Sequence, residues 1–346
     1  MLSFFNNYKG ESKSAQSEIR LSSINDYIID KKISEGKRAI ALRGISKRDG
    51  VDVVIKMAKP QTSYDIEEYL IWSREFSIGK AASDACDYAV KHLAFFSDKI
   101  PDGPFFKKEW IGEETLWLIT EFIEGYTLEQ LINCEYGSDH RLAIIDYLLF
   151  LEQIFRVLDC LHENGIIHGN LTPDNIYFGT ETRESFLIDF GGSCDLKELQ
   201  SEDLGADGCD YNKIGSPVIF TSKLVRSKRD PASSSSYQWT KKENFDLLMK
   251  QNDIHTLLTV SSGLLYPALF DPTNPKRETI FEKQGWIRSL NFIRHEYEKH
   301  VNINTKDVFD FLKKTIEMIN KNESGVTVPY VLSEIKRLQE IHQYNR

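Results

Sequence analysis

A polar loop followed by a buried strand, within Leu161–Gly192, is the feature that most constrains what this chain can fold into and do. Asn170 and Asn175 lie in a short polar loop between two apolar segments. Phe186–Ile188 has the apolar character of a buried strand and ends just before Asp189 and a glycine pair. A carboxylate and a carboxamide at two strand–loop junctions suit a divalent cation that keeps several waters and bridges a polyphosphate. The segment therefore predicts a metal-assisted phosphate site.

Composition indicates a folded, soluble chain. With 346 residues, 41% hydrophobic and 12% aromatic, it has ample material for a packed core. The net charge of −9 argues against wholesale binding of nucleic acid or of anionic membranes. The five cysteines form no C-x-x-C pair, which favours reduced thiols in an intracellular protein over a disulfide frame or a zinc site. No signal peptide or membrane-spanning run is present, so we expect a cytoplasmic protein.

Hydrophobic periodicity predicts a small β-rich part followed by a larger helical part. Ile24–Met57 alternates apolar and polar residues across three short runs, which is typical of three antiparallel strands. Tyr64–Ala82 has helical periodicity, with Ile66, Tyr69, Trp72 and Phe76 on one apolar face, and two more strands are predicted near Leu93–Phe96 and Leu116–Ile119. Leu142–His162 is the strongest predicted helix, Ile254–Phe270 is again apolar and helical, and Asp195–Gln251 is polar and irregular.

The central loop resembles the catalytic segment of the protein kinases, which reads H-R-D-L-K-P-x-N and is followed by D-F-G. Here the loop is His168-Gly169-Asn170-Leu171-Thr172-Pro173-Asp174-Asn175, and Asp189-Phe190-Gly191 is intact. The resemblance implies an α+β, bilobal kinase fold, with a small antiparallel sheet and one helix in the N-lobe and a mainly helical C-lobe. It places an N-terminal tail at 1–25, the N-lobe at 26–124, the C-lobe at 125–325 with an insertion near 225–250, and a C-terminal helix at 326–346.

The resemblance also implies an ATP site in the N-lobe. Gly36 is the one glycine that remains where the family has G-x-G-x-x-G, a loop whose glycines let the backbone approach phosphates. Lys56 ends the next apolar strand, at the family's spacing for the lysine that pairs with the α- and β-phosphates. Glu75, nineteen residues later, would hold this lysine, with Glu67 and Glu68 as rivals. A plain hairpin, a solvated strand end and a solvated helix face are the alternative interpretations.

The adenine of ATP would meet the segment that follows the fifth strand. There the resemblance assigns the main-chain groups of Glu121 and Ile123 to hydrogen bonds with the base, and gives Thr120 the gatekeeper position. A plain buried strand is the alternative, because side chains take little part in this recognition.

The loop departs from the family where the phosphate is transferred. Asn170 replaces the catalytic Asp and cannot act as a base, and Thr172 replaces the lysine that steadies the transferring phosphate. The two expected ligands of Mg²⁺, Asn175 and Asp189, remain. The changed residues face the γ-phosphate, whereas the retained ones face the metal and the inner phosphates. The H-G-N triplet also resembles the pseudokinase domains of Janus kinases.

These observations predict an ATP- and Mg²⁺-binding pseudokinase, inactive or weakly active, that regulates or scaffolds a protein partner. A divergent but active Ser/Thr kinase is the second hypothesis, since a loose transition state depends more on positioning than on a base. Other nucleotide transfer on a kinase fold is the third. The long polar region 195–251, with its acidic half, its basic cluster and its serine run, is either a solvated loop or a partner surface, and no nucleic-acid or membrane partner is expected.

Overall fold

Five antiparallel strands form one sheet in the N-terminal part of the chain. The computed structural model describes residues 23–60, 66–133, 143–197, 242–267, 286–299 and 305–343. The strands run in the order β1-β2-β3-β5-β4 across the sheet. Their bounds are β1 Tyr27–Glu35, β2 Ala39–Ser46, β3 Asp52–Ala58, β4 His92–Lys99 and β5 Glu114–Glu121. The three N-terminal strands and the two later ones are those that alternation predicts, so this part of the fold is confirmed.

Helix α1 (Ile66–Ala85) follows β3 and packs against the sheet. Its buried side chains include Trp72, Glu75, Ile78 and Ala82, whereas Tyr69 is exposed. Of the predicted face, Trp72 is buried and Phe76 packs against the same hydrophobic cluster, so this part of the prediction is confirmed. The burial of Glu75 was not predicted, because periodicity of apolar residues cannot indicate an inward-facing glutamate.

The C-terminal part is mainly helical and is built around helix α3 (Ile144–Glu163), which is buried on most of its surface. The other described helices are α2 Leu128–Asn133, α4 Lys242–Ser261, α5 Trp286–Glu298, α6 Lys306–Asn320 and α7 Val328–Gln343. The α+β class, with an antiparallel sheet in the N-lobe and a helical C-lobe, is thereby confirmed. None of the described helices is both long and apolar enough to cross a membrane.

Two small sheets hold the central polar loop at the junction of the lobes. Strand β8 (Ile176–Gly179) pairs with β6 (Gly125–Thr127) and with β9 (Ser185–Leu187). Strand β7 (Ile166–Ile167) pairs with β10 (Cys194–Asp195). The loop thus leaves β7 and enters β8, and Asp189 follows β9. The pairing of β8 with β9 brings both ends of the predicted site to one edge.

Helix α7 packs along α3 through its apolar stripe. Val331, Ile335 and Leu338 are buried, and Gln339 Nε2 donates to Glu152 Oε2 at 2.8 Å. Ile341, the last residue of the predicted stripe, is exposed. The expected packing of this segment on the helical lobe is confirmed.

Three expectations from the sequence need correction. Helix α4 begins at Lys242, so the last part of the region expected to be irregular is helical. Ile24 is buried in a short 3-10 turn (Ile24–Asp26), so the predicted tail does not extend to residue 25. Cys86 and Cys160 form a disulfide, and the expectation of reduced thiols is wrong for this pair, since residues 74 apart in sequence are brought together by the fold. The serine run and residues 215–224, whose sequence resembles the end of a kinase activation segment, lie outside the described residues.

Candidate functional site

Lys56 lies at the centre of a charged cluster between the two lobes. Its Nζ is 2.7 Å from Glu75 Oε1 and 3.2 Å from Asp189 Oδ1. Strand β3 supplies the lysine, helix α1 supplies Glu75, and the turn after β9 supplies Asp189. The ammonium also lies 5.4 Å from the centre of the Trp72 ring. Three elements that are distant in sequence therefore meet at one ammonium group, and the predicted glutamate, Glu75, is bonded to it.

One positive charge between two carboxylates leaves the cluster with a surplus of negative charge. Burial disfavours the charge on Lys56, but the two carboxylates outweigh that effect and hold its pKa above the ordinary value. Burial raises the pKa of Glu75 to about 7, because the attraction of Lys56 only partly offsets desolvation and the nearby Asp189 charge. Lys56 in turn lowers the pKa of Asp189. The half-exposed Asp189 thus carries the charge that a cation would meet.

Asp189 is held in an uncommon backbone conformation. Its φ of 60° and ψ of 82° lie in the left-handed region, which few non-glycine residues adopt outside constrained sites. The carboxylate Oδ1 accepts a hydrogen bond from Gly191 N at 3.2 Å. A Cβ at Gly191 would lie 3.0 Å from Glu75 Oε2 and 3.2 Å from Asp189 Oδ1. Gly191 is therefore needed for the two carboxylates to approach the turn this closely.

The polar loop places Asn170 next to Asn175. The Asn175 side chain is buried, and its Nδ2 donates to Asn170 O at 2.8 Å. The carbonyl of Asn175 accepts from Ile188 N at 3.0 Å, which ties the loop to the residue before Asp189. Thr172 is half-buried and precedes the 3-10 turn Pro173–Asn175. The loop thus brings the two expected metal ligands to neighbouring positions, with Asn170 beside them.

A buried aspartate on helix α4 supports the loop from below. Asp253 is 1% exposed, and its carboxylate accepts hydrogen bonds from His168 N at 2.9 Å and from Gly169 N at 3.0 Å. His162 Nε2 lies 3.2 Å from the same group. Gly169 has a φ of +70°, a conformation that favours glycine. Asp253 therefore fixes the backbone of the loop at His168 and Gly169.

A column of buried rings links helix α1 to the loop. Its ring His92, and Gly79 beneath that ring, were not predicted from the sequence. The ring of His92 contacts Phe190 at 5.7 Å between centroids, and Phe190 contacts His168 at 5.1 Å. Gly79 lies at the other end, where an added Cβ would come within 2.5 Å of His92 ring atoms. Burial lowers the pKa of His92 to about 4 and also lowers that of His168, so both imidazoles are neutral. A glycine in mid-helix, which is disfavoured there, was the available signal.

The remaining residues predicted to contact a nucleotide are Gly36, Glu121 and Ile123. Gly36 follows β1, and its N donates to Ala39 O at 2.9 Å. A Cβ at Gly36 would meet only Ala39 O at 3.8 Å, so the turn itself does not require glycine. Glu121 ends β5, and its amide donates to Lys91 O at 2.9 Å. Ile123 packs on the main hydrophobic core. Gly36 thus lies in the turn between β1 and β2, whereas Glu121 and Ile123 lie where the chain passes from the N-lobe to the C-lobe, and the predicted contacts of all three with a nucleotide stay predictions.

Mg²⁺ fits the residues present near Asp189. Among the described residues, no group of three or more His, Cys, Asp or Glu side chains is arranged to hold a metal. Mg²⁺ differs from metals held in all-protein cages, since one or two carboxylates plus phosphates and waters complete its shell. The hard oxygen of Asp189 beside the amide of Asn175, with a surplus of negative charge, matches that requirement.

Comparison with known families decides the lineage. The protein kinase domain matches residues 27–215. The chain belongs to the protein kinase family. Members of this family use ATP and Mg²⁺ in general, and the matched region contains β1, helix α1, the polar loop and Asp189.

Similar proteins include several named kinases. The chloroplastic serine/threonine-protein kinase STN7 of Arabidopsis thaliana is 29% identical over 181 residues, which are 50% of this chain and 31% of the relative. A probable serine/threonine-protein kinase of Clostridium acetobutylicum is 28% identical over 167 residues, 48% of this chain and 22% of the relative. Human myosin-IIIa is 28% identical over 170 residues, which are 49% of this chain and 10% of the relative. The match spans less than a third of each relative.

Proposed function

We propose that this chain binds Mg-ATP, transfers the γ-phosphate poorly, and acts as a pseudokinase that regulates or scaffolds a protein partner. The carrying observation is the contrast between two parts of one cleft. The Lys56–Glu75–Asp189 cluster is assembled within hydrogen-bonding distance, whereas Asn170 and Thr172 place no charge at the reacting end of the loop.

The assembled part supports nucleotide binding. Lys56 would donate to the α- and β-phosphate oxygens, and Glu75 keeps its ammonium aimed into the cleft. Asp189 and Asn175 would hold Mg²⁺, which when bound neutralises charge on the phosphates. The main chain of Glu121 and Ile123 would receive the adenine. The groups that the phosphates and Mg²⁺ would need are therefore gathered at one place in the cleft.

The altered part supports weak transfer. The carboxamide of Asn170 cannot accept the proton of a substrate hydroxyl, and losing a positioned base costs roughly 10²–10⁴-fold in rate. Thr172 carries no charge to steady the moving phosphate. Both changes lie in a loop whose backbone is fixed by Asp253, so the defect is chemical and local.

An active Ser/Thr kinase is the second candidate. It is favoured by the assembled Lys56–Glu75 pair and by the similarity to relatives named as serine/threonine kinases. In a loose transition state, positioning and electrostatics supply most of the acceleration, so a neutral loop lowers the rate without abolishing it.

The test of binding is a melting series with ATP and Mg²⁺. A ligand that binds only the folded state adds about 2.7 kcal/mol of stability at a hundredfold excess over Kd. We expect the melting temperature to rise for the natural chain, and the nucleotide-dependent rise to be lost in Lys56→Met and Asp189→Ala. Lys99→Met, an exposed lysine on the edge strand of the same sheet, is the matched control. No shift at millimolar nucleotide would contradict the proposal.

Parallel incubations with γ- and α-labelled ATP separate the candidate functions. Very little transfer of either label supports the pseudokinase. Strong transfer of the γ-label alone would show an active kinase, and transfer of the α-label would show nucleotidyl transfer on this fold.

A further inference from the structure

The disulfide between Cys86 and Cys160 joins the two lobes beside the charged cluster. Cys86 directly follows helix α1, which carries Glu75, and Cys160 lies in the last turn of helix α3, the central helix of the C-lobe. Eleven residues separate Glu75 from Cys86, about 16 Å along a helix. The cross-link therefore attaches the far end of the helix that holds Lys56 to the core of the opposite lobe.

The same region also contacts the strand that leads to Asp189. Val90 N donates to Leu187 O, and Leu187 N donates to Tyr88 O, both at 3.1 Å. These two bonds hold the segment after Cys86 against β9, two residues before Asp189. The segment around Cys86 is thus connected to both carboxylates: helix α1 connects it to Glu75, and strand β9 connects it to Asp189.

We propose that Cys86–Cys160 is a reversible thiol–disulfide exchange site whose oxidised form locks helix α1 in the nucleotide-binding position. Cys86 is buried and Cys160 is partly exposed, so Cys160 is the more accessible cysteine for a small dithiol from solvent. The expected effect on nucleotide affinity rests on the proposed function, whereas the restraint of helix α1 by the disulfide does not.

The exchange proceeds in two balanced steps. A thiolate of the dithiol attacks Cys160 Sγ, the Cys86–Cys160 bond breaks, and Cys86 leaves as a thiolate that takes a proton from water. The second thiolate of the reductant then attacks its own sulfur in the mixed disulfide and expels Cys160. Asn164 Nδ2 lies 3.8 Å from Cys160 Sγ, where its N–H stabilises the departing thiolate. The dithiol is oxidised to a disulfide, and the protein gains two electrons and two protons.

Reduction should loosen helix α1 without unfolding the lobes, since the bonds of Val90 and Leu187 remain. With Glu75 less firmly placed, Lys56 spends less time aimed into the cleft. We expect nucleotide affinity to fall at least about fivefold, the lower end of coupling between two sites.

The experiment compares the natural chain with the double variant Cys86→Ser, Cys160→Ser, each with and without dithiothreitol. Peptide mapping after alkylation records the state of the pair, hydrogen exchange records α1, and calorimetry records ATP affinity. We expect dithiothreitol to speed exchange of amides in the C-terminal half of α1 and to weaken ATP binding in the natural chain. In the double variant, helix α1 should exchange as in the reduced natural chain, and dithiothreitol should not change that rate. Cys194 is also disulfide-bonded, so its reduction occurs in both proteins and cancels in the comparison.

Two results would overturn the inference. One is mapping that shows both cysteines free in air-oxidised protein; the other is an equal response of both proteins to dithiothreitol. If neither the oxidised nor the reduced protein binds ATP, the proposed function fails. The hydrogen-exchange rates of α1 then still test whether the disulfide restrains this helix. If the double variant does not fold, Cys160→Ser alone, at the partly exposed position, replaces it in the same comparison.

Discussion

A mid-helix glycine beneath a histidine ring offers the sharpest test of the packing around the site. We expect Gly79→Ala to destabilise the natural chain, although alanine is the better helix former. A Cβ there would lie 2.5 Å from His92 Nδ1 and closer still to Cε1 and Nε2. The ring cannot move aside easily, because Nδ1 is 3.0 Å from Val90 O and its edge contacts Phe190.

The magnitude follows from two opposed terms. Overpacking of a fixed core costs about 3 kcal/mol at the upper end of its range, whereas replacing glycine by alanine in a helix gains about 1 kcal/mol. The net expectation is a loss of about 2 kcal/mol. With His92→Ala in the background the obstructing ring is gone, and the same Gly79→Ala should instead stabilise by about 1 kcal/mol.

Urea unfolding of the four proteins of this double-mutant cycle, followed by tryptophan fluorescence, measures both values. Ala81→Gly, at an exposed position of the same helix, is the control that measures the difference in helix propensity between alanine and glycine. If Gly79→Ala has the same sign and size in both backgrounds, the reasoning about the ring is refuted.

Three further outcomes are expected. Asp253→Ala should lower the free energy of unfolding by about 1–3 kcal/mol for each of the two loop amides left unbonded, and Asp253→Asn should lower it by less. Urea unfolding measures both values, and equal losses in the two variants would contradict this account. His92 has a folded pKa of about 4, below its ordinary 6.5, so the unfolded chain binds a proton that the folded chain does not. The contribution of His92 to stability should therefore fall by about 3 kcal/mol from pH 6.5 to 4, measured as the change in the free-energy difference between the natural chain and His92→Leu, which cancels the titration of Glu75. The double change Asn170→Asp, Thr172→Lys should raise γ-phosphate transfer roughly tenfold or more, and adding Asp189→Ala should abolish the gain. If the double variant binds nucleotide but its transfer rate does not rise, these two residues are not the cause of weak transfer.

Local pattern was enough to predict much of the fold. Alternation located β1–β3. In β2 and β3 it reflects the burial of every second side chain, whereas β1 is mostly exposed. The apolar run of α3 predicted a central helix, since only a buried element can be apolar on nearly every side. The polar loop and Asp189 were visible because their chemistry is carried by a few residues close together in sequence.

The relative placement of distant elements was beyond the sequence. Nothing local indicates that His92 fills the space above Gly79, or that Cys86 meets Cys160. The burial of Glu75 on the inward face of α1 was not predicted either, because it depends on Lys56 from another strand.

What the sequence determined by itself was the identity and order of its elements and the chemistry of the loop. Only the tertiary structure decided which side chains share a charge, a ring contact or a bond across the lobes. The physical reason is range. Backbone preference and hydrophobic period act over a few residues, whereas burial, ion pairing and cross-linking depend on neighbours that folding alone brings together.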